Sequence, residues 1–210
     1  AGAHVVVVQS TGEQPGMSDS LEQLRSAIST LKHFGTQHIT LAMPNTAYDR
    51  QDRDFGEQGQ LCSVNAEWFA QEMRMRGVDD VITFTPHSQA TIGFWNKALG
   101  DAHYHVLDAT PLFVADMQAR FGAHAAEVAI GAPDGADKPN DQGQARAHAL
   151  ATALHGATTE AEPAHMFGII KRHVEKEGRD TTESHFAWGN VAGKDCAIVD
   201  DMSDGGSTLV

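Results

Sequence analysis

Short apolar runs alternate with segments of helical periodicity along most of the chain. The first run, residues 5–8, consists of four valines, which is typical of a strand covered on both faces of a parallel sheet. Apolar residues then recur at helical spacing at Leu21, Leu24, Ile28 and Leu31. Gly35 follows, where a helix C-cap is expected. This rhythm predicts βα units built on a mainly parallel sheet.

The same alternation continues to the end of the chain. Further strands are predicted at residues 39–43, 81–84, 128–130, 166–170 and 196–199. Further helices are predicted around residues 64–73, 111–121 and 145–154. The stretch 175–183 is polar and charged, which indicates a mobile loop.

We therefore expect an α/β fold with mainly parallel sheets flanked by helices on both faces, arranged as two similar lobes. The first lobe would comprise residues 1–122 and the second residues 123–210. A parallel strand that ends in a glycine turn usually leads into a covering helix, yet the sequence stops shortly after Thr208. We expect the chain to be a fragment, or the ordered portion, of something longer.

Composition narrows the class of protein. The 210 residues are 41% hydrophobic and 20% charged, the balance of a soluble globular protein. No apolar stretch approaches the roughly 18 residues that span a membrane, and no secretory signal opens the chain. The net charge of −13 argues against nucleic acid as a partner, since phosphate backbones require clustered cations. Cys62 and Cys196 fit no metal or redox spacing, so we expect a cytoplasmic protein.

The strongest chemical motif lies at the C-terminus. Asp200 and Asp201 end a predicted buried strand, and ionised carboxylates can accept hydrogen bonds from two neighbouring sugar hydroxyls. The glycine-rich turn that follows can offer backbone N–H groups and two hydroxyls to a phosphate. The alternative is an acidic strand end followed by an ordinary turn. The predicted sugar-phosphate site comprises Asp200, Asp201, Asp204, Gly205, Gly206, Ser207 and Thr208.

Residues 199–208 resemble the phosphoribosyl-pyrophosphate loop of type I phosphoribosyltransferases. Residues 8–10, 44–48, 50–53 (Arg-Gln-Asp-Arg) and 133–134 (Pro-Asp) narrow the resemblance to the ribose-phosphate pyrophosphokinase family. These matches run in order from about residue 4 to residue 210. The resemblance implies a type I phosphoribosyltransferase-like fold.

By that resemblance, Arg50, Gln51, Arg53 and His87 would bind ATP. Guanidinium groups suit this role because they bind phosphate oxygens and stack on adenine. The alternative for residues 50–53 is a solvated charge run whose members pair with one another. His87 and Asp134 would approach one Mg²⁺–phosphate site, and a carboxylate is a ligand that Mg²⁺ commonly takes.

The resemblance places Lys171 and Arg172 on a mobile catalytic loop, where two cations would stabilise charge on a transferring group. The alternative is a cation pair that flanks a strand. Several positions depart from the family pattern, two of them close to the predicted ATP site. Thr85 begins the Thr-Pro-His segment where the family has Asp-x-His, and Asp49 replaces an alanine just before Arg50.

The implied reaction transfers the diphosphoryl group of ATP to the 1-hydroxyl of ribose 5-phosphate, or of a related 5-substituted ribose, with Mg²⁺ as cofactor. Phosphoribosyl pyrophosphate and AMP would be the products. Two other hypotheses stay open: a phosphoribosyltransferase that consumes this diphosphate, and a non-catalytic regulatory homologue. The family usually forms dimers that build hexamers, so a homo-oligomer is expected. The sequence leaves the acceptor sugar open.

Overall fold

The computed structural model describes residues 2–11, 16–54, 62–138, 141–156, 165–176 and 179–202, and only the backbone at 173–176 and 179–182. The chain divides into two compact units, Ala1–Asp108 and Ala109–Val210. Each unit contains one four-stranded sheet in the described residues.

The sheet of the first unit is entirely parallel, with the strands in chain order. Its strands are β1 (His4–Val8), β2 (His38–Ala42), β3 (Asp80–Phe84) and β4 (Tyr104–Leu107). The helices between them are α1 (Met17–His33), α2 (Asn65–Met75) and α3 (Gln89–Leu99). The predicted alternation of strands and helices is therefore present. Helix α3 and strand β4 are additional elements that the hydrophobic periodicity did not indicate.

The three helices of the first unit pack against one face of its sheet. Val7, Leu41, Val81 and Tyr104 are partners in register across the four strands, and they share one core with the buried faces of the helices. On the opposite face of β1, Val6 is 58% and Val8 74% exposed. Within the described residues of this unit, the expectation of helices on both faces is therefore not met. Strand order that advances in one direction, with right-handed crossovers, places successive helices on the same side.

The second unit contains a mixed sheet. Its helices are α4 (Thr110–Phe121), a 3₁₀ helix (Gly122–Glu127) and α5 (Gln142–His155). Its strands are β5 (Ala129–Gly131), β6 (Met166–Lys176), β7 (Arg179–Gly189) and β8 (Cys196–Ile198). The order is β7-β6-β5-β8, and β5 runs parallel to both β6 and β8. Strand β7 is antiparallel to β6.

The division between the units lies before α4, whereas the sequence suggested a boundary after residue 122. Met117 on α4 is buried in one core with Val128, Ala147 and Leu150, and Phe121 packs against that core. The apolar face of α4 thus belongs to the second unit.

The stretch 175–183 is not the mobile loop that its polarity suggested. Strand β6 continues to Lys176, and β7 begins at Arg179. The two strands pair along their length, from Phe167 opposite Gly189 to Lys176 opposite Arg179. A polar sequence can form such a hairpin because its stability comes from ladder hydrogen bonds as well as burial. Among the described residues, none of the helices is long and apolar enough to cross a membrane.

Candidate functional site

The loops after β1, β2 and β3 meet at the carboxyl edge of the first sheet, where open α/β sheets bind ligands. Backbone hydrogen bonds join these loops. The Gln9 N–H donates to the Ala42 carbonyl at 3.0 Å, and the Phe84 N–H donates to the Pro44 carbonyl at 3.2 Å. The Arg-Gln-Asp-Arg segment follows β2 and His87 follows β3. The residues predicted to bind ATP therefore lie at one edge of one sheet.

Within the Arg-Gln-Asp-Arg segment, the acid is buried and the arginines are exposed. Asp52 is 4% exposed, and its Oδ1 accepts a hydrogen bond from Arg53 Nε at 3.0 Å. Burial acts to raise the pKa of Asp52, but hydrogen bonds from Arg53 and Ser88 outweigh it and hold the pKa below its usual value. The Arg53 side chain is 60% exposed, and Arg50 and Gln51 are also exposed. The self-pairing considered as an alternative is thus present for Arg53, while its guanidinium still faces solvent.

A second buried acid, Asp49, contacts the loop that carries His87. Its Oδ2 accepts a hydrogen bond from the His87 backbone N–H at 3.0 Å. Asp49 is 5% exposed, and burial raises its pKa although the His87 N–H opposes the shift. Sequence reasoning noted Asp49 only as a departure from the family pattern, because its partner is distant in sequence.

At the carboxyl edge of the second sheet, a lysine pairs with the acid that follows β5. Lys171 Nζ on β6 lies 3.5 Å from Asp134 Oδ2. The Asp134 carbonyl accepts a hydrogen bond from Gln144 Nε2 at 2.7 Å, which ties its loop to α5. Gly135 next to it has φ +80°, and a Cβ there would lie 2.3 Å from Asp141 Cγ, so this turn requires glycine.

Lys171 and Arg172 lie inside β6, opposite Ser184 and Glu183 of β7. Successive side chains of a strand point to opposite faces of its sheet. Lys171, on the side of Asp134, is 25% exposed, whereas Arg172 is exposed. The two cations therefore do not converge on one point in this arrangement, and the expectation that they open a mobile loop is corrected.

Arg146 on α5 holds the acid pair that follows β8. Its Nη2 donates to Asp201 Oδ1 at 2.9 Å and lies 3.9 Å from Asp200 Oδ1. The Asp201 side chain is 6% exposed and that of Asp200 is 34% exposed. Burial and the neighbouring Asp201 carboxylate raise the pKa of Asp200 to about 6, and Arg146 opposes the shift only in part. Asp201 is thus a structural acid, while Asp200 faces solvent.

Arg146 was not among the residues predicted from sequence. It lies on the helix that buries Ala147, Leu150 and Ala151, and a cation so close to an apolar face signals a buried acidic partner. The predicted phosphate turn, comprising Asp204, Gly205, Gly206, Ser207 and Thr208, lies outside the described residues.

The described residues contain no group of three or more His, Cys, Asp or Glu side chains placed to hold a metal ion. Mg²⁺ bound with a nucleotide commonly needs only one or two carboxylates, because substrate phosphates and water complete its shell. The carboxylate of Asp134, with its side chain 37% exposed, fits that requirement. That Asp134 and His87 serve one Mg²⁺–phosphate group stays a prediction.

Comparisons with known proteins identify what the chain resembles. Residues 1–77 match the model of the N-terminal domain of ribose phosphate pyrophosphokinase. The ribose-phosphate pyrophosphokinase of Granulibacter bethesdensis is 29% identical over 208 residues, which cover 99% of this chain. That of Bradyrhizobium diazoefficiens is 29% identical over 209 residues, or 100% of this chain. This chain is similar to the ribose-phosphate pyrophosphokinases. The resemblance seen in the motifs is thereby confirmed.

The phosphoribosylpyrophosphate synthetase of Mycobacterium smegmatis has a similar structure, with a TM-score of 0.70 over 99% of this chain and 22% sequence identity. This likeness confirms the predicted fold class, type I phosphoribosyltransferase-like with mainly parallel sheets flanked by helices. The chain spans 58% of the Granulibacter pyrophosphokinase, 57% of the Bradyrhizobium one and 58% of the Mycobacterium structure.

Proposed function

We propose that the natural protein transfers the β,γ-diphosphoryl group of ATP to the 1-hydroxyl of ribose 5-phosphate or a related 5-substituted ribose. The products are phosphoribosyl pyrophosphate and AMP. The observation that carries the proposal is the carboxyl edge of the second sheet. There the Lys171–Asp134 pair and the Asp200–Asp201 pair lie at the ends of neighbouring strands, in a chain similar to pyrophosphokinases over its length.

The sugar is bound through the acid pair. Asp200, whose side chain is partly exposed, accepts hydrogen bonds from ribose hydroxyls when it is ionised. Asp201 and Arg146 hold Asp200 in place, so the acceptor geometry exists before the sugar arrives. Residues 204–208, which the sequence predicts as a glycine-rich turn, bind the 5-phosphate through backbone N–H groups and the hydroxyls of Ser207 and Thr208.

ATP is bound at the carboxyl edge of the first sheet. Exposed Arg50 and Arg53 bind phosphate oxygens or stack on the adenine ring, and Gln51 and His87 add polar contacts. Arg53 keeps a fixed direction because Asp52 anchors its Nε.

During transfer, the 1-hydroxyl oxygen bonds to the β-phosphorus as the bond from that phosphorus to the α-phosphate oxygen breaks. The hydroxyl loses its proton and AMP leaves. Lys171 neutralises charge on the transferring group, and Arg172 is the second cation on the same strand. Asp134 would hold Mg²⁺ in part, and the bound ion would supply further charge neutralisation on the phosphates.

Two other functions compete with this one. A phosphoribosyltransferase would use the same acid pair and turn, but it would consume phosphoribosyl pyrophosphate. A non-catalytic homologue would bind nucleotide without turnover. The Arg-Gln-Asp-Arg segment at the edge of the first sheet favours the synthetase, because a phosphoribosyltransferase needs no site for ATP.

Incubation of the intact natural protein with ATP, Mg²⁺ and candidate ribose phosphates tests the proposal. AMP that forms only with one sugar identifies both the reaction and the acceptor. If the protein binds ATP but forms no AMP with any of the sugars, it is the non-catalytic regulatory homologue. Pyrophosphate released from phosphoribosyl pyrophosphate and a base would indicate the transferase.

We also propose that the protein is cytoplasmic and assembles from copies of itself, as the family resemblance implies. Light scattering of the intact protein measures the assembly, and a monomer at assay concentration would contradict it.

A further inference from the structure

The Asp49 carboxylate is a buried polar group that the reaction itself does not require. Its Oδ2 accepts the His87 N–H, while its Oδ1 has no hydrogen-bond partner among the described residues. The buried hydroxyl oxygens of Thr46, Thr91 and Tyr104 likewise have no partner of good geometry among those residues. Thr46 and Thr91 lie close enough to Asp49 to favour its charged form. Burying a carboxylate in such a place is costly, so its presence here calls for a specific role.

The backbone on both sides of this hydrogen bond is strained. Tyr48, just before Asp49, has φ 63°, and Thr85, two residues before His87, has φ 34°. Positive φ at a bulky or β-branched residue is a strained outlier that persists only where surrounding contacts hold it. The hydrogen bond from His87 to Asp49 connects the two loops next to these strained positions.

A second tie joins the same two loops. Asp52 takes part in a hydrogen bond with Ser88, the residue after His87. Ser88 is also the N-cap of α3, where its Oγ accepts the Thr91 N–H at 3.3 Å. Asp49 and Asp52, two buried acids of the loop between β2 and α2, are therefore hydrogen-bonded to His87 and Ser88, which are consecutive in the loop between β3 and α3.

We propose that Asp49 is a positioning residue that fixes the His87 loop against the Arg-Gln-Asp-Arg segment. The proposal rests on the proposed function, since the groups so aligned are the ones assigned to ATP. This role requires no contact between Asp49 and the substrate. Its carboxylate holds the strained loops in the conformation in which Arg50, Arg53 and His87 face one nucleotide, so that ordering the site costs little when ATP binds.

Three variants of the intact protein test this role. Asp49→Ala removes the acceptor of the His87 N–H. Asp49→Asn removes the charge and keeps an oxygen that can accept this hydrogen bond. Asp79→Ala is the matched control, because Asp79 Oδ2 accepts the Ile39 backbone N–H at 2.9 Å in the same unit, near the opposite end of the sheet.

Two readouts are compared in each variant: the Kd for ATP with Mg²⁺ by calorimetry, and hydrogen exchange at the His87 amide. Asp49→Ala is expected to raise the Kd about tenfold or more and to accelerate His87 exchange by a similar factor. Asp49→Asn should restore both values to within about threefold of the wild type. Asp79→Ala should change neither, even if it lowers the melting temperature.

Wild-type affinity for ATP in Asp49→Ala would overturn the role of Asp49 and leave the proposed function standing. The role of Asp49 would also be overturned if Asp49→Asn raised the Kd for ATP as much as Asp49→Ala does. The same conclusion would follow if Asp79→Ala raised that Kd equally. A wild-type protein that binds no ATP would instead overturn the proposed function, and the role of Asp49 with it.

Discussion

At the scale of single residues, buried charges hold protein groups in place while exposed charges remain available to a ligand. Asp49, Asp52 and Asp201 are buried, and each has a hydrogen-bond partner on a different element or neighbouring residue. Arg53 and Asp200 keep a large part of their side chains in solvent. Because an unpaired buried charge is very costly, removing one partner of such a contact should affect stability before it affects chemistry.

Arg146 provides the clearest test of this argument. Its side chain is 17% exposed and faces two carboxylates. Arg146→Ala should lower the free energy of unfolding by about 3 kcal/mol at pH 7, because it leaves Asp201 buried without its cation. Urea denaturation of the chain measures the change. Arg120→Ala is the control, since Arg120 makes an exposed pair with Asp116 within α4, and it should have little effect. Equal losses in the two variants would contradict the structural role of Arg146.

Asp200 should make stability depend on pH in a specific direction. Its pKa in the folded chain is about 6, above the roughly 3.9 of an unfolded aspartate. Between these two pKa values, the folded state therefore binds more protons than the unfolded state. The contribution of Asp200 to stability is fully present below about pH 4 and is lost as the pH rises through 6. Asp200→Asn removes this titration. Relative to that variant, the wild type should lose stability between pH 4 and pH 7 in urea denaturation. A constant difference across the range would show that the pKa is not raised.

At the scale of elements, the β6–β7 hairpin depends on close packing near its base. A Cβ on Gly168 would lie 2.4 Å from Trp188 Nε1 and 2.7 Å from the Ala136 Cβ. Gly168→Ala should therefore destabilise the chain by about 1–3 kcal/mol and shift the fluorescence of Trp188. Gly93→Ala, inside α3 with nothing within 4 Å, should instead stabilise by about 0.5–1 kcal/mol. A Gly168→Ala chain as stable as the wild type would mean that the hairpin is loosely packed.

The elements that the sequence predicted correctly carry an apolar pattern of their own. Strands β1, β2 and β3 and helix α1 follow from valine runs and leucine spacing. Strand β4 was missed because three of its four residues are exposed, which leaves no alternation to detect. The polar half of the hairpin was missed because it forms through pairing with the other strand rather than through burial.

From the residues themselves, the candidate site was predictable only where its members are neighbours in sequence, while His87, Asp134 and Lys171 were predicted through the family resemblance. Asp200 and Asp201 are adjacent and were found together. The contact of Asp49 with His87 spans 38 positions, and that of Arg146 with Asp201 spans 55. Such contacts arise from the tertiary arrangement of the elements, and a single sequence gives no local signal for which two residues become partners.

At the scale of the whole molecule, the proposed function requires a chain of net charge −13 to bind substrates that are themselves anions. The overall field opposes their approach, so affinity has to come from cations placed next to the phosphates. Arg50, Arg53 and Lys171 are the described side chains best placed for this, at the carboxyl edges of their sheets. Loss of one such cation should therefore have an effect far out of proportion to its share of the total charge.

Lys171 should separate turnover from sugar binding in the intact natural protein. Lys171→Ala removes the ammonium group 3.5 Å from Asp134 Oδ2 and should lower kcat by about 10²-fold or more, because that charge acts on the transferring diphosphoryl group. The KM for the sugar phosphate should change little, since the proposed sugar site consists of the acid pair and residues 204–208. Steady-state rates of AMP formation measure both kcat and KM.

Lys194→Ala is the control. The Lys194 Nζ lies 2.6 Å from His165 Nδ1, at the segment that precedes β8, and kcat should be unchanged in this variant. If Lys171→Ala keeps its turnover, the catalytic cation lies elsewhere, and Arg172, Lys176 and Arg179 on the same hairpin are the next to replace.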